Sequence, residues 1–134
     1  MTETATLTNT NQAPDYTIEQ LAFIAADAAD DRKAEDMRLI DIGEVSTLAD
    51  YLLIVTGYSK VQLRAISGSI IDKLEEDLHR LPLRTEGQDR GGWILIDYGD
   101  LIVHIMMPEQ REFYDLETFW GHGKTVTLPQ PQAS

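Results

Sequence analysis

Three things are scarce in this sequence of 134 residues: cysteine, long apolar runs and positive charge. The absence of cysteine excludes disulfides, thiolate catalysis and zinc sites built on cysteine. No apolar run approaches the roughly 20 residues that a membrane helix needs. The first residues, MTETATLTNTNQAP, also lack the basic and apolar segments of a secretory signal. We therefore expect a cytoplasmic protein with no role in a membrane.

The shortage of positive charge is large, with 11 Lys and Arg against 23 Asp and Glu and a formal net charge of −12. Phosphate recognition requires clustered lysine and arginine, so this charge disfavours binding to nucleic acid. It would attract a basic protein partner, although acidic charge also simply keeps many proteins dispersed. The hydrophobic content of 43% is ordinary for a soluble globular domain.

The two ends of the chain differ in composition from its middle. Residues 1–14 are polar and rich in threonine and asparagine, and residues 125–134 contain two prolines. Such segments cannot bury enough apolar surface to order themselves, and both are predicted to be disordered tails. The folded domain is therefore predicted to be 15–124.

Apolar periodicity and turn signals divide this domain into elements. Helices are predicted over 18–32 and 60–81, where YTIEQL and YSKVQL each provide a capping box. Strands are predicted at 37–42 and 51–57, with a short edge strand at 83–86, a hairpin over 93–106 and a last helix over 108–120. The order αββα(β)ββα predicts an α/β fold, a mixed β-sheet flanked by helices.

The hairpin sequence GWILIDYGDLIVHIM has two possible registers. A two-residue turn at Gly99 and Asp100 suits a type II′ geometry and avoids opposing Asp97 to Asp100. In this register Tyr98 pairs with Leu101 on a wholly apolar core face. The other face is mixed and carries Trp93, Leu95, Asp97, Ile102, His104 and Met106.

Several residues could carry chemistry. Gly57 and Ser59 in TGYS could bind an anion at a helix N-terminus, or simply form a turn and a cap. A nucleotidyl transferase would need paired carboxylates, but Asp97 and Asp100 are mis-spaced on strand and turn. His104 could form an acid–base pair with Asp97, yet no nucleophile is evident beside it. We therefore predict no catalytic residue, metal ligand or cofactor.

Trp93 begins the first hairpin strand on the mixed face. It is either a core tryptophan beneath a helix or an anchor for a protein partner, a role in which tryptophan and tyrosine are common. The residues alone do not decide between the two interpretations.

From about Ala28 to Trp120 the chain resembles the ribosomal silencing factor family, also called Iojap-like proteins. The residues that carry this resemblance are K-x-x-D at 33–36, ADYLLIVTGYS at 49–59, EG at 86–87, W-I-x-x-D-x-G-D-x-I-V-H at 93–104, R-x-F-Y-x-L-E at 111–117 and Trp120. Several landmarks in the same order make the resemblance specific.

The resemblance implies a nucleotidyltransferase-like fold without that chemistry. It also implies binding to ribosomal protein number fourteen of the large subunit, where the bound protein obstructs the small subunit when nutrients are short. A homodimer is implied for the free protein. The family's binding region carries over to Trp93, Asp97 and Tyr98, and we place Pro82 and Glu86 beside them.

The mixed face is on this basis interpreted as a docking surface. Two alternatives stay open: a nucleotide-dependent transferase or hydrolase using Ser59, Asp97 and Asp100, and a dimeric adaptor without a ribosomal role.

Overall fold

The computed structural model describes residues 15–88 and 91–129, so the predicted tail 1–14 lies outside the described residues. The described chain forms four helices and six strands. In chain order they are α1 (Ile18–Asp30), β1 (Glu35–Asp41), β2 (Tyr51–Thr56), α2 (Lys60–Leu78), β3 (Arg84–Glu86), β4 (Trp93–Asp97), β5 (Leu101–Met106), α3 (Pro108–Tyr114), α4 (Leu116–Phe119) and β6 (Lys124–Val126).

The six strands form one sheet in the order β3-β4-β5-β2-β1-β6. Strands β2 and β5 run parallel, and the other neighbours are antiparallel. Helices α1 and α2 pack on one face, where the main core lies, while Leu116 and Trp120 pack on a smaller apolar cluster of the other face. The predicted mixed sheet flanked by helices is confirmed.

The first helix start has the predicted capping box, whereas the second has only half of it. Thr17 accepts a hydrogen bond from the Gln20 backbone and completes the capping box of α1. At the start of α2, Ser59 accepts from the Gln62 amide, but the Gln62 side chain accepts from the Tyr58 amide and not from that of Ser59.

The helix ends also differ from the prediction. Helix α2 ends at Leu78, earlier than predicted, because His79 adopts a left-handed φ of 56°. The predicted last helix is divided in two at Asp115, which has a φ of 46°.

The hairpin has the predicted register. Ile96 lies opposite Val103, and the Tyr98 amide donates to the Leu101 carbonyl at 2.8 Å. Gly99 occupies the first turn position with a φ of 91°, which an L-residue rarely adopts. This register leaves one strand face for the core and the other free for a second role.

The end of the chain differs from its prediction. Strand β6 pairs with β1 and includes Thr125 and Val126, which the sequence analysis had assigned to the C-terminal tail. Three residues are too few to show strand periodicity, and the pairing is supplied by the exposed edge of β1. In the two described ranges, none of the helices is both long and apolar enough to cross a membrane.

Candidate functional site

The second face of the sheet is only partly covered by helices. Strand alternation turns Ile94 and Ile96 into the core, where they are at most 1% exposed. Trp93, Leu95 and Asp97 point the other way and stay half-buried. The strand registers place further residues beside them. We call this surface the open face and define it as Arg84, Glu86, Trp93, Leu95, Asp97 and Ile102.

Exposed aromatic rings border the open face on the side of α3. The ring of Tyr114, which is 50% exposed, lies 4.7 Å from the ring of Trp93. Phe113, which is 79% exposed, stands edge-on to Tyr114. Scattered apolar residues are normal on a surface, but contiguous ones mark a site of interaction.

Trp93 combines the two roles between which the sequence could not decide. Its ring is part of the open face, while its indole Nε1 donates to His104 Nδ1 at 2.9 Å. His104 is 8% exposed, and burial lowers its pKa to about 4. The imidazole is therefore neutral at neutral pH, with Nδ1 free to accept this hydrogen bond.

The charged residues of the open face are linked through Arg84. Its Nη1 lies 3.3 Å from Glu86 Oε2, and its Nε donates to Asp97 Oδ2 at 3.2 Å. Asp97 also accepts from the Gly99 amide at 2.8 Å, which holds the turn. The structure thus brings the predicted Asp97 and Glu86 onto one face with Trp93.

The two remaining predicted residues, Pro82 and Tyr98, are not part of the open face itself. Pro82 is half-buried just before β3, where the Leu83 amide donates to the Asp97 carbonyl at 2.7 Å, so it borders the open face. Tyr98 is 3% exposed and faces the core, and its hydroxyl has no partner within the described residues. This burial argues against the predicted contact of Tyr98 with a partner, which stays a prediction.

The enzymatic alternatives lack the required geometry. Asp97 and His104 are bonded to different partners, so they form no acid–base pair. Ser59 follows the carboxyl end of β2, whereas Asp100 lies at the amino end, where its carbonyl accepts from the Tyr51 amide. The length of β2, roughly 20 Å for six residues, separates them. No metal site of three His, Asp or Glu residues occurs within 15–88 and 91–129.

The TGYS turn is explained by capping. Ser59 Oγ accepts from the Gln62 amide at 3.0 Å, and Gln62 Oε1 accepts from the Tyr58 amide at 2.7 Å. The Gly57 amide donates to the Met106 carbonyl. These amides are therefore already bonded within the chain, as the turn-and-cap interpretation requires.

A polar crevice of about 420 Å³ lies beyond the carboxyl ends of β2 and β5. Arg111, which is 7% exposed, donates from Nη1 to Thr56 Oγ1 at 2.7 Å. Its Nε and Nη2 donate to Glu117 Oε2 at 3.0 and 2.7 Å. The guanidinium therefore ties α3 and α4 to the end of β2.

Sequence reasoning missed Arg84, Tyr114 and Arg111. Arg84 and Glu86 share a strand face by spacing alone, but the pairing of Arg84 with Asp97 requires the register of β3, which three residues do not reveal. Arg111 and Glu117 are among the residues that carry the family resemblance, but sequence reasoning assigned them no structural role. The hydrogen bonds between them depend on the break in the helix at Asp115.

Comparisons with known proteins agree on one family. Residues 15–134 match the sequence model described as "Ribosomal silencing factor during starvation". The Bacillus subtilis ribosomal silencing factor RsfS is 41% identical over 105 residues, which cover 78% of this chain and 88% of that protein. The chloroplastic protein Iojap of Zea mays is 33% identical over 125 residues, covering 87% of this chain and 54% of Iojap.

A solved structure agrees with the sequence relatives. A crystal structure of a Chromobacterium violaceum protein superposes with a TM-score of 0.76 at 30% identity, covering 89% of this chain and 95% of that one. The sequence matches and the superposed fold both agree with the resemblance described above. The chain belongs to the ribosomal silencing factor family.

Proposed function

We propose that this protein binds the large ribosomal subunit through its open face, at ribosomal protein number fourteen, and blocks joining of the small subunit. Family membership supports a role in regulating translation at the ribosome. The observation that carries the proposal is the open face itself: among the described residues, this part of the sheet stays partly exposed and is bordered by exposed aromatic rings.

The chemistry of the open face suits a protein partner. Trp93, Leu95 and Ile102 supply the apolar area, and the charged residues lie on the edge strand β3 and at the end of β4. Interfaces have this arrangement of an apolar centre within a polar rim. The net charge of −12 attracts a basic protein and repels the surrounding RNA.

Such a protein needs no reaction to silence a ribosome. A chain of this length has a radius of gyration of roughly 14 Å. A body of this size at the joining surface keeps apart two subunits that must touch. The wide separation of Ser59 from Asp100 supports this mechanism over nucleotide chemistry. We place its action in the cytoplasm under nutrient limitation, and take the free protein to be a homodimer.

The test is co-sedimentation with purified large subunits, followed by a subunit-joining assay monitored by light scattering. The wild type should co-sediment and reduce joining. Leu95→Glu should weaken binding about 10-fold or more, because it buries an unpaired charge at the interface centre. Val61→Glu is the matched control, because Val61 is 68% exposed on α2, which packs against the opposite face.

Two results would contradict the proposal. One is normal joining at saturating wild-type protein. The other is equal binding by the Leu95→Glu and Val61→Glu variants. Trp93→Ala is a poorer probe, because it also removes the donor to His104 and should lower stability as well as binding.

A further inference from the structure

A small groove crosses the open face where β3 meets β4. It has a volume of about 330 Å³ and is lined by Glu86, Gly87, Trp93 and Leu95. We propose that this groove receives one arginine or lysine side chain of the protein partner. The inference deepens the proposed function and rests on it only for the identity of that partner.

The walls of the groove match the two parts of such a side chain. Arginine and lysine carry an apolar stem and a charged head, and they bury the first while keeping the second at the surface. Trp93 and Leu95 offer the apolar wall, and a cation near the indole ring gains cation–π attraction. Glu86, whose side chain is 57% exposed, offers a carboxylate at the mouth.

Part of the groove is formed by backbone at Gly87. Gly87 has a φ of 87°, and a Cβ there would lie 2.1 Å from the Trp93 carbonyl oxygen. Only glycine therefore allows the chain to pass this close to Trp93. This close packing fixes the distance between the Glu86 carboxylate and the Trp93 indole. One bound side chain must therefore place its stem on the indole and its charged head at the carboxylate.

The charge around the groove favours a cationic side chain over an acidic or a purely apolar one. Arg84 bridges Glu86 and Asp97, so one positive charge pairs with two carboxylates. The net charge of these three residues is therefore −1. An acidic side chain or a phosphate would be repelled by Glu86 and by the net charge of −12. A purely apolar side chain would cover the ring but would leave the remaining negative charge of these three residues unbalanced.

The first experiment uses a small probe and the full chain. Blocked arginine, with acetyl and amide ends, is titrated into the protein while NMR follows the Trp93 indole N–H and the Gly87 and Leu95 amides. Blocked citrulline is the neutral control of matched shape. We expect saturable shifts with blocked arginine, and apparent affinity about 5-fold weaker for blocked citrulline, as for an exposed ion pair.

Two variants locate the carboxylate. Glu86→Gln should reduce the affinity for blocked arginine toward that for blocked citrulline, because it removes the carboxylate while the indole ring stays in place. Glu112→Gln removes the same charge from an exposed residue that lines the other crevice, and should leave the titration unchanged. Equal shifts with both probes, or an undiminished response in Glu86→Gln, would overturn the groove assignment.

A second experiment separates this inference from the proposed function. Wild type, Glu86→Gln and Glu112→Gln are sedimented with large subunits, and only Glu86→Gln should bind more weakly, by about 5-fold. If the wild type does not bind large subunits, the proposed function fails while the blocked-arginine titration still decides the groove. If all three bind equally and the probe gives no shift, only the groove assignment fails.

Discussion

The hydrogen bond from Trp93 to His104 should be one of the main stabilising interactions beneath the open face. Trp93→Phe keeps an aromatic ring but removes the Nε1–H that donates at 2.9 Å. The buried Nδ1 of His104 then loses its partner, which costs about 1–3 kcal/mol of unfolding free energy. His104→Leu makes the converse change and leaves the indole N–H without its acceptor.

A double-mutant cycle isolates this bond from the loss of ring area. Urea unfolding of wild type, both single variants and the double variant should show a coupling of about 1 kcal/mol, with the double variant less destabilised than the sum. Trp120→Phe is the matched control, because it makes the same ring change on the same side of the sheet away from His104. Strict additivity in the Trp93–His104 cycle would refute the assignment.

The same histidine predicts how stability depends on pH. Burial lowers its pKa from 6.5 to about 4, so between these values the unfolded chain binds a proton that the folded chain does not. Stability should therefore be unaffected by His104 above pH 6.5 and fall as pH decreases toward 4, by up to about 3 kcal/mol. The difference in unfolding free energy between the wild type and His104→Leu should change between pH 6.5 and pH 4. A constant difference would contradict the burial argument.

Two further stability predictions concern polar groups elsewhere in the fold. Tyr98→Phe should raise the unfolding free energy by about 1 kcal/mol, because it removes a buried hydroxyl without a partner among the described residues; a destabilised variant in urea unfolding would show that the hydroxyl is bonded. Arg111→Met should lower it by about 2 kcal/mol, because Glu117 and Thr56 lose their buried donor, and a change below about 0.5 kcal/mol would show that α3 and α4 are held mainly by apolar contacts.

The parts of the fold with long periodic patterns could be predicted from the sequence. Helix α1, which was predicted from apolar periodicity, packs its alanines into the core, with Ala22, Ala25 and Ala29 fully buried. The hairpin register was predicted from the electrostatic repulsion that would arise if Asp97 lay directly opposite Asp100. Such features depend on neighbouring residues along the chain, so local physics is sufficient to find them.

The missed features all depend on contacts between distant segments. The break at Asp115 is stabilised once Arg111 can reach both Thr56 and Glu117, and Thr56 is 55 residues away in sequence. The pairing of β6 with β1 has the same origin. A single sequence carries no signal for pairs of this kind, because neither residue is unusual in its own neighbourhood.

The unequal covering of the sheet suggests why binding and stability should be separable in this protein. Helices α1 and α2 bury one face and provide the main core, so residues that only line the other face contribute little to folding. Leu95 and Glu86 are of this kind, because both stay partly exposed and neither donates to a buried group. Trp93 is the exception, since it joins the open face to buried His104. Substitutions at Leu95 and Glu86 should therefore weaken binding of the partner with little loss of stability. A substitution at Trp93 should reduce both binding and the stability of the fold.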